Sequence, residues 1–246
     1  MIRDVGGSYR RAIVETVHHY SGVRPEPAAI DALKAEGCWN NDWEASLELL
    51  RRGGLGQLPA FEALVEVFNG FYFGGNPNGD PGQWRGFIGS EPLLVEPRFF
   101  DQLSHAGVAW GFVSGAEPPS ARFVLEQRLG LHQPPLIAMG DAPDKPDPTG
   151  FLRLAAELLQ APFGTQPSIP VAYLGDTVAD VITVQRARQE QPEHPFLSLA
   201  VAPPHLHTPE AQERRGHYEA QLLEAGADAV IPSTTAVLES LELLLR

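Results

Sequence analysis

The 246-residue chain has one cysteine, two lysines and no run of 18 apolar residues. A lone Cys38 excludes an internal disulfide framework and a cysteine-based zinc site, which suits a reducing compartment. By type it is expected to be a small buried apolar residue. The missing long apolar run argues against a membrane-spanning helix, and the N-terminus lacks the basic, apolar and small-residue pattern of an export leader. A cytoplasmic location is therefore expected. Positive charge is scarce too, with 18 Lys and Arg against 31 Asp and Glu, a net charge of -13. That balance disfavours nucleic acid and anionic membrane as partners, because a phosphate-tracking surface needs clustered Lys and Arg. A local cationic pocket stays compatible with it. Lys34 and Lys145 are the two lysines, and Lys145 stands inside the Pro/Asp-rich loop DAPDKPDP in a chain whose usual cation is arginine.

Two textures divide what remains. Tyr9, Ile13, Val17 and Tyr20 recur at helical spacing behind Ser8, a candidate N-cap. Further helices are expected after Pro27, with Gly37 as its stop, from Asn41 or Asp42 to Gly53, and from a start at Pro59 that presents Phe61, Leu64, Val65 and Phe68. Residues 74–90, GGNPNGDPGQWRGFIGS, follow neither period and read as a long loop. From about residue 92, short apolar runs alternate with amphipathic stretches. The runs are VAWGFVS (108–114), PLIAMG (135–140), VAYLG (171–175), FLSLAVA (196–202) and ADAVI (227–231). Apolar strands separated by helices specify an α/β fold with a parallel sheet covered on both faces. Ligands of such sheets bind beyond the C-terminal ends of the strands.

The polar residues at those ends carry the chemistry. VAYLG runs into Asp176, and Asp180 follows one helical turn later. Two carboxylates that close repel unless a cation or a shared proton relieves them, and hard oxygen donors of this kind suit Mg²⁺. The same pair also reads as a helix cap with a first-turn acid. Ser114 and Gly115 end VAWGFVS, placing a hydroxyl beside an open backbone amide that can hold an anionic oxygen, or simply ending a strand. Lys145 precedes a proline and offers a compact ammonium for a transferring phosphoryl group, or is an ordinary loop lysine. Together these signals narrow the reading. They occur in the order Ser, Lys, Asp/Asp at successive strand ends, and the intervals Ser114 to Lys145 and Lys145 to Asp176 are both 31 residues.

In this combination the chain resembles the haloacid dehalogenase superfamily of Mg²⁺-dependent hydrolases, most of them phosphatases. FVSG matches the family's second motif, DKPDP its third and GDTVAD its fourth. The resemblance implies a Rossmann-like parallel core over residues 91–246, and a helical cap over 9–90 as in the phosphoglycolate phosphatase-like branch. Residues 1–8 then form the remnant of the first-motif loop. It also implies that Asp176 and Asp180 hold Mg²⁺, that Lys145 neutralises charge at the reacting centre, and that Ser114, Gly115 and Lys145 bind the phosphoryl group. Cap residues choose the substrate, with Asn40, Asn41 and Trp43 in GCWNNDW as candidates; their other reading is a capped helix start with tryptophan as packing.

The family's first motif, DxDG at the end of the central strand, has no counterpart. IRDV matches its tail, with Asp4 on the motif's later Asp. The nucleophilic Asp and the strand behind it are expected upstream of Met1, as if the start had been assigned too far downstream. The expected function is a phosphatase of a small phosphorylated metabolite, inactive without that segment. The alternatives are a noncatalytic phosphate-binding or interaction protein and a sugar-phosphate mutase.

Overall fold

The computed structural model describes residues 1–164 and 168–245; Arg246, the last residue of the expected core, lies outside them. The chain divides into two compact units, Arg3–Leu93 and Met1–Ile2 with Leu94–Arg246.

The first unit is helical: α1 (Tyr9–Ser21), α2 (Pro27–Ala35), α3 (Asp42–Arg52) and α4 (Phe61–Tyr72). Ile13, Val17, Leu50, Leu64, Phe68 and Tyr72 are buried, so the 3.6-residue period of the sequence becomes the core of this unit. Two expectations are corrected. Ser8 precedes α1 without capping it through its side chain, because its hydroxyl donates instead to Glu91 Oε1 at 2.5 Å. Cys38 is exposed, since it sits in the turn between α2 and α3 rather than on a core face.

Glu91 is the centre of a buried polar network. Its Oε2 accepts from Arg3 Nη1 at 2.5 Å, and Arg3 also donates to the Tyr72 hydroxyl at 3.0 Å. Burial opposes the Arg3 charge, but Tyr72 and Glu91 outweigh it and hold the guanidinium firmly protonated. The two ends of the unit run together here: Arg3 bridges Leu93 in antiparallel fashion and Asp4 N donates to Pro92 O at 2.8 Å. The glycine-rich stretch 74–90 contains two 3₁₀ turns, Pro81–Gln83 and Phe87–Ser90. Trp84 is buried and donates to Asn76 O at 2.9 Å. Gly86 is required by packing, as a Cβ there would lie 2.4 Å from the carbonyl carbon of Phe73.

The second unit alternates strands and helices in the order α5 (Pro97–His105), β1 (Phe112–Val113), α6 (Pro118–Arg122), β2 (Leu136–Ile137), α7 (Thr149–Leu159), β3 (Val171–Gly175), α8 (Val178–Glu190), β4 (Phe196–Ala200), α9 (Gln212–Glu224), β5 (Ala229–Val230) and α10 (Val237–Leu244). A π-helical turn, Phe123–Arg128, continues α6. Every ladder is parallel, as the alternation requires. The ladders form two groups, β1 with β2 and β3–β4–β5 in that order, and among the described residues none joins β1 to β3.

The expected runs of five to seven strand residues therefore survive in full only at β3, and nearly so at β4. β4 has partners on both edges and is almost wholly buried; β1 pairs on one edge only and is half-buried throughout. Apolar character marks a potential strand, but a ladder extends only where a second backbone lies alongside. Helix α7 packs on both β1 and β2, and Val113 reaches the cluster of Phe151, Tyr173, Val184 and Phe196. The two ladder groups thus share one core.

Candidate active site

Three strand ends build the site. Ser114 follows β1 and is fixed there by donating its amide to Ile137 O at 2.8 Å, while its hydroxyl accepts from Ala116 N at 3.1 Å. The loop after β2 is shaped by Asp141, whose Oδ2 accepts from Ala138 N at 2.9 Å and whose carbonyl accepts from Arg153 at 2.8 Å. The Lys145–Pro146 peptide in this loop is cis. A small, open pocket lies between the β1 and β2 ends, lined among others by Ser114, Gly115, Met139, Asp144, Lys145 and Asp147. The adjacent Ser114 and Gly115 share its wall with Lys145, 31 residues after Ser114.

Beyond β3 the chain turns sharply into α8. Thr177 caps that helix: its hydroxyl accepts from Asp180 N at 3.2 Å, and Asp180 Oδ2 accepts in return from the Thr177 amide at 3.0 Å and its hydroxyl at 2.8 Å. Asp180 Oδ2 also accepts from Asp176 N at 3.1 Å. Its other oxygen, Oδ1, accepts from Lys145 Nζ at 2.6 Å and from the Tyr173 hydroxyl at 3.1 Å. Five donors therefore surround one buried carboxylate. The fit leaves no room at the end of β3, where a Cβ on Gly175 would lie 2.2 Å from that of Asp180.

The electrostatics follow from this arrangement. Burial opposes the Lys145 ammonium, but Asp180, Tyr173 and Asp176 outweigh it and raise its pKa above the ordinary lysine value. Burial likewise favours neutral Asp180, yet Lys145 and the Thr177 donors prevail and pull its pKa down to about 2. Tyr173 is raised by burial, with Asp180 adding to it against the opposing pull of Lys145, so it remains a protonated donor at neutral pH. Asp176 is half-buried, and its carbonyl accepts from the Tyr218 hydroxyl of α9 at 2.9 Å. Met1 lies at the same edge: burial lowers the pKa of its amino group, against the pull of Asp176 and Asp180.

As a donor set for Mg²⁺, the Asp176 carboxylate fits, being a hard oxygen ligand of the kind that Mg²⁺ combines with water and substrate phosphate. Asp180 has both oxygens taken by protein donors. Among the described residues no group of three or more His, Cys, Asp or Glu converges on one point.

In the helical unit, Asn41 caps α3, its side chain accepting from the amides of Trp43 at 2.9 Å and Glu44 at 3.3 Å. Trp43 packs edge-on against Phe61 and Phe68. The carbonyls of Trp39 and Asn40 accept from Lys34 Nζ at 2.7 and 3.2 Å, and Lys34 also pairs with Asp42 at 2.5 Å. Sequence reasoning missed Tyr173, Thr177 and Tyr218. The T-x-x-D spacing was a readable sign of the Thr177 cap; nothing local marks Tyr218, 42 residues from the carbonyl it holds.

No protein-family model matches the sequence. A curated protein of Phytophthora nicotianae named imidazoleglycerol-phosphate dehydratase is 30% identical over 191 residues, which is 76% of this chain and 39% of that protein. The chain thus spans about two fifths of that relative's length. Among solved structures, the crystal structure of a phosphonoacetaldehyde hydrolase-like protein from Oleispira antarctica superposes with a TM-score of 0.69 at 17% identity, covering 99% of this chain and 88% of that one. The likeness defines the fold. The chain shares the α/β fold of that structure, with parallel strands and a helix-rich composition. No helix among the described residues is long and apolar enough to cross a membrane.

Proposed function

We propose that this chain is the phosphate-handling part of a Mg²⁺-dependent phosphatase that hydrolyses a small phosphomonoester. The observation that carries the reading is Lys145, an ammonium kept charged by Asp180 on the wall of a pocket it shares with Ser114 and Gly115. A fixed cation beside a hydroxyl and an open amide suits a group whose negative charge is spread over several oxygens. In this reading Ser114 and the Gly115 amide bind a phosphoryl oxygen and Lys145 neutralises the transferring group. Asp176 holds Mg²⁺, which would supply further charge neutralisation. Asp180 bears on the metal through the turn it holds. Substrate choice falls to the helical unit, with Asn40, Asn41 and Trp43 as candidates.

The nucleophile in this reading is an aspartate on a strand that precedes Met1. The separation of the ladders into β1–β2 and β3–β4–β5 supports a place for such a strand. The carboxylate oxygen would attack phosphorus as the bond to the ester oxygen breaks, and the departing ester oxygen would take a proton from the second aspartate of the upstream DxDG, which would regain one from the water of the next step. Water then hydrolyses the aspartyl-phosphate, releasing inorganic phosphate and restoring the carboxylate.

The test is phosphate release by protein extended with the roughly 15 codons upstream of Met1, a length on the order of one strand and its turn. The substrate panel should include imidazole-bearing phosphate esters and phosphonoacetaldehyde, in view of the names of the two similar proteins. Mg²⁺-dependent release that Asp176→Asn abolishes is expected. An extended protein that is inert on the whole panel, or upstream codons without a DxDG, would overturn the reading.

A further inference from the structure

We propose that Tyr173 and Tyr218 are positioning residues of this site, each phenol holding a different component: Tyr218 the metal-binding Asp176, and Tyr173 the phosphate-binding Lys145. The inference rests on the phosphatase reading and extends it to two side chains outside the sequence motifs.

The geometry separates their tasks. Tyr218 comes from α9, in a helix remote from the β3–α8 turn in sequence, and its hydroxyl donates to the Asp176 carbonyl at 2.9 Å. The Asp176 amide donates to Asp180 Oδ2 at 3.1 Å. The backbone on both sides of the Asp176 side chain is therefore tied, which limits the directions its carboxylate can take. Tyr173 acts on the opposite side of Asp180. Its hydroxyl and Lys145 Nζ share Oδ1, at 3.1 and 2.6 Å, while all three donors to Oδ2 come from Asp176 and Thr177. One carboxylate oxygen serves the lysine and the other serves the turn. Tyr173, Tyr218 and Asp180 are all buried, so neither phenol exchanges its protein partner readily for water. Partners of this kind, once removed from a metal ligand, typically weaken the metal about 10- to 100-fold.

Isosteric Tyr→Phe variants remove one hydroxyl each and keep the ring in its cluster. On the chain extended with the codons upstream of Met1, Mn²⁺ uptake read by electron paramagnetic resonance reports the metal corner. Inorganic phosphate titrated in a calorimeter reports the lysine corner. Tyr218→Phe is expected to weaken Mn²⁺ about tenfold and leave phosphate affinity within about twofold. Tyr173→Phe is expected to do the reverse, weakening phosphate about fivefold with Mn²⁺ unchanged. A merely structural role does not produce this crossed pattern. Loss of thermal stability with both affinities kept, or parallel loss of both affinities in both variants, overturns the proposal while leaving the phosphatase reading intact. Unsubstituted protein that takes up neither Mn²⁺ nor phosphate overturns the phosphatase reading and this inference with it.

Discussion

Lys145 and Asp180, 35 residues apart in the chain, meet in a 2.6 Å ion pair whose side chains are only 14% and 3% exposed. Burying two charges is costly, and the cost is offset here because Asp180 accepts four further hydrogen bonds. The pair is consequently sensitive to loss of either member.

Lys145→Met leaves the Asp180 carboxylate buried with neutral donors alone. We expect a loss of about 3 kcal/mol in unfolding free energy, measured by urea denaturation at pH 7. The double variant Lys145→Met/Asp180→Asn should recover part of that loss, since no uncompensated charge remains; a double variant less stable than either single one would contradict this account.

Gly175→Ala inserts a methyl 2.2 Å from the Asp180 Cβ. Backbone must shift, and a destabilisation of about 1–3 kcal/mol is expected, together with weakened phosphate binding as Asp180 moves away from Lys145. Wild-type stability in this variant would show that the end of β3 yields more easily than its packing implies.

The acid limb of stability should depend on Asp180. Its folded-state pKa, about 2, lies below the ordinary value of 3.8. A depressed carboxylate contributes stability that is fully present above the unfolded pKa and is lost as pH falls through the folded one. Between about pH 4 and pH 2 the protein should therefore lose about 2 kcal/mol through this group, and Asp180→Asn should flatten that part of the curve. Lys145 has the opposite sign: its raised pKa contributes fully below the unfolded lysine value, and is lost only in strong alkali.

Asn41→Ala removes the acceptor for two orphan amides at the start of α3. A cost of about 1 kcal/mol is expected, and Asn41→Asp should keep most of the stability because its side chain can accept the same bonds. Substrate kinetics measured beside the thermal midpoint would separate this capping task from substrate contact.

Much of the site was readable along the chain. Ser114, Lys145 and Asp176 are marked because a parallel α/β fold puts its ligand edge at the strand termini, so a polar residue closing an apolar run has a defined place before any coordinate is known. Asp180 was readable as a neighbour of Asp176 one turn away, but the helix is capped by Thr177 and not by Asp176, a cap that the T-x-x-D spacing marks and the sequence reading passed over. Its two oxygen environments were not readable, because Tyr173 points inward from the middle of a strand and Lys145 arrives from another loop. Ser8 shows a local rule losing to a distant partner: a good cap residue donates to Glu91, 83 positions away. Cys38 shows that residue type alone does not decide burial in a turn.

Periodicity and strand-end chemistry, which depend on residues within a turn or two of one another, already specify the helical first part, the α/β alternation and the identity of the polar edge. Contacts between distant segments settle the rest: how far each ladder runs, which oxygen of Asp180 faces Lys145, and why Gly175 has no side chain. Hydrogen bonds and close packing act over about 3 Å in space, with no regard for separation along the chain. The bond from Tyr218 to the Asp176 carbonyl, spanning 42 residues, therefore exists only once β3, α8 and α9 have packed together.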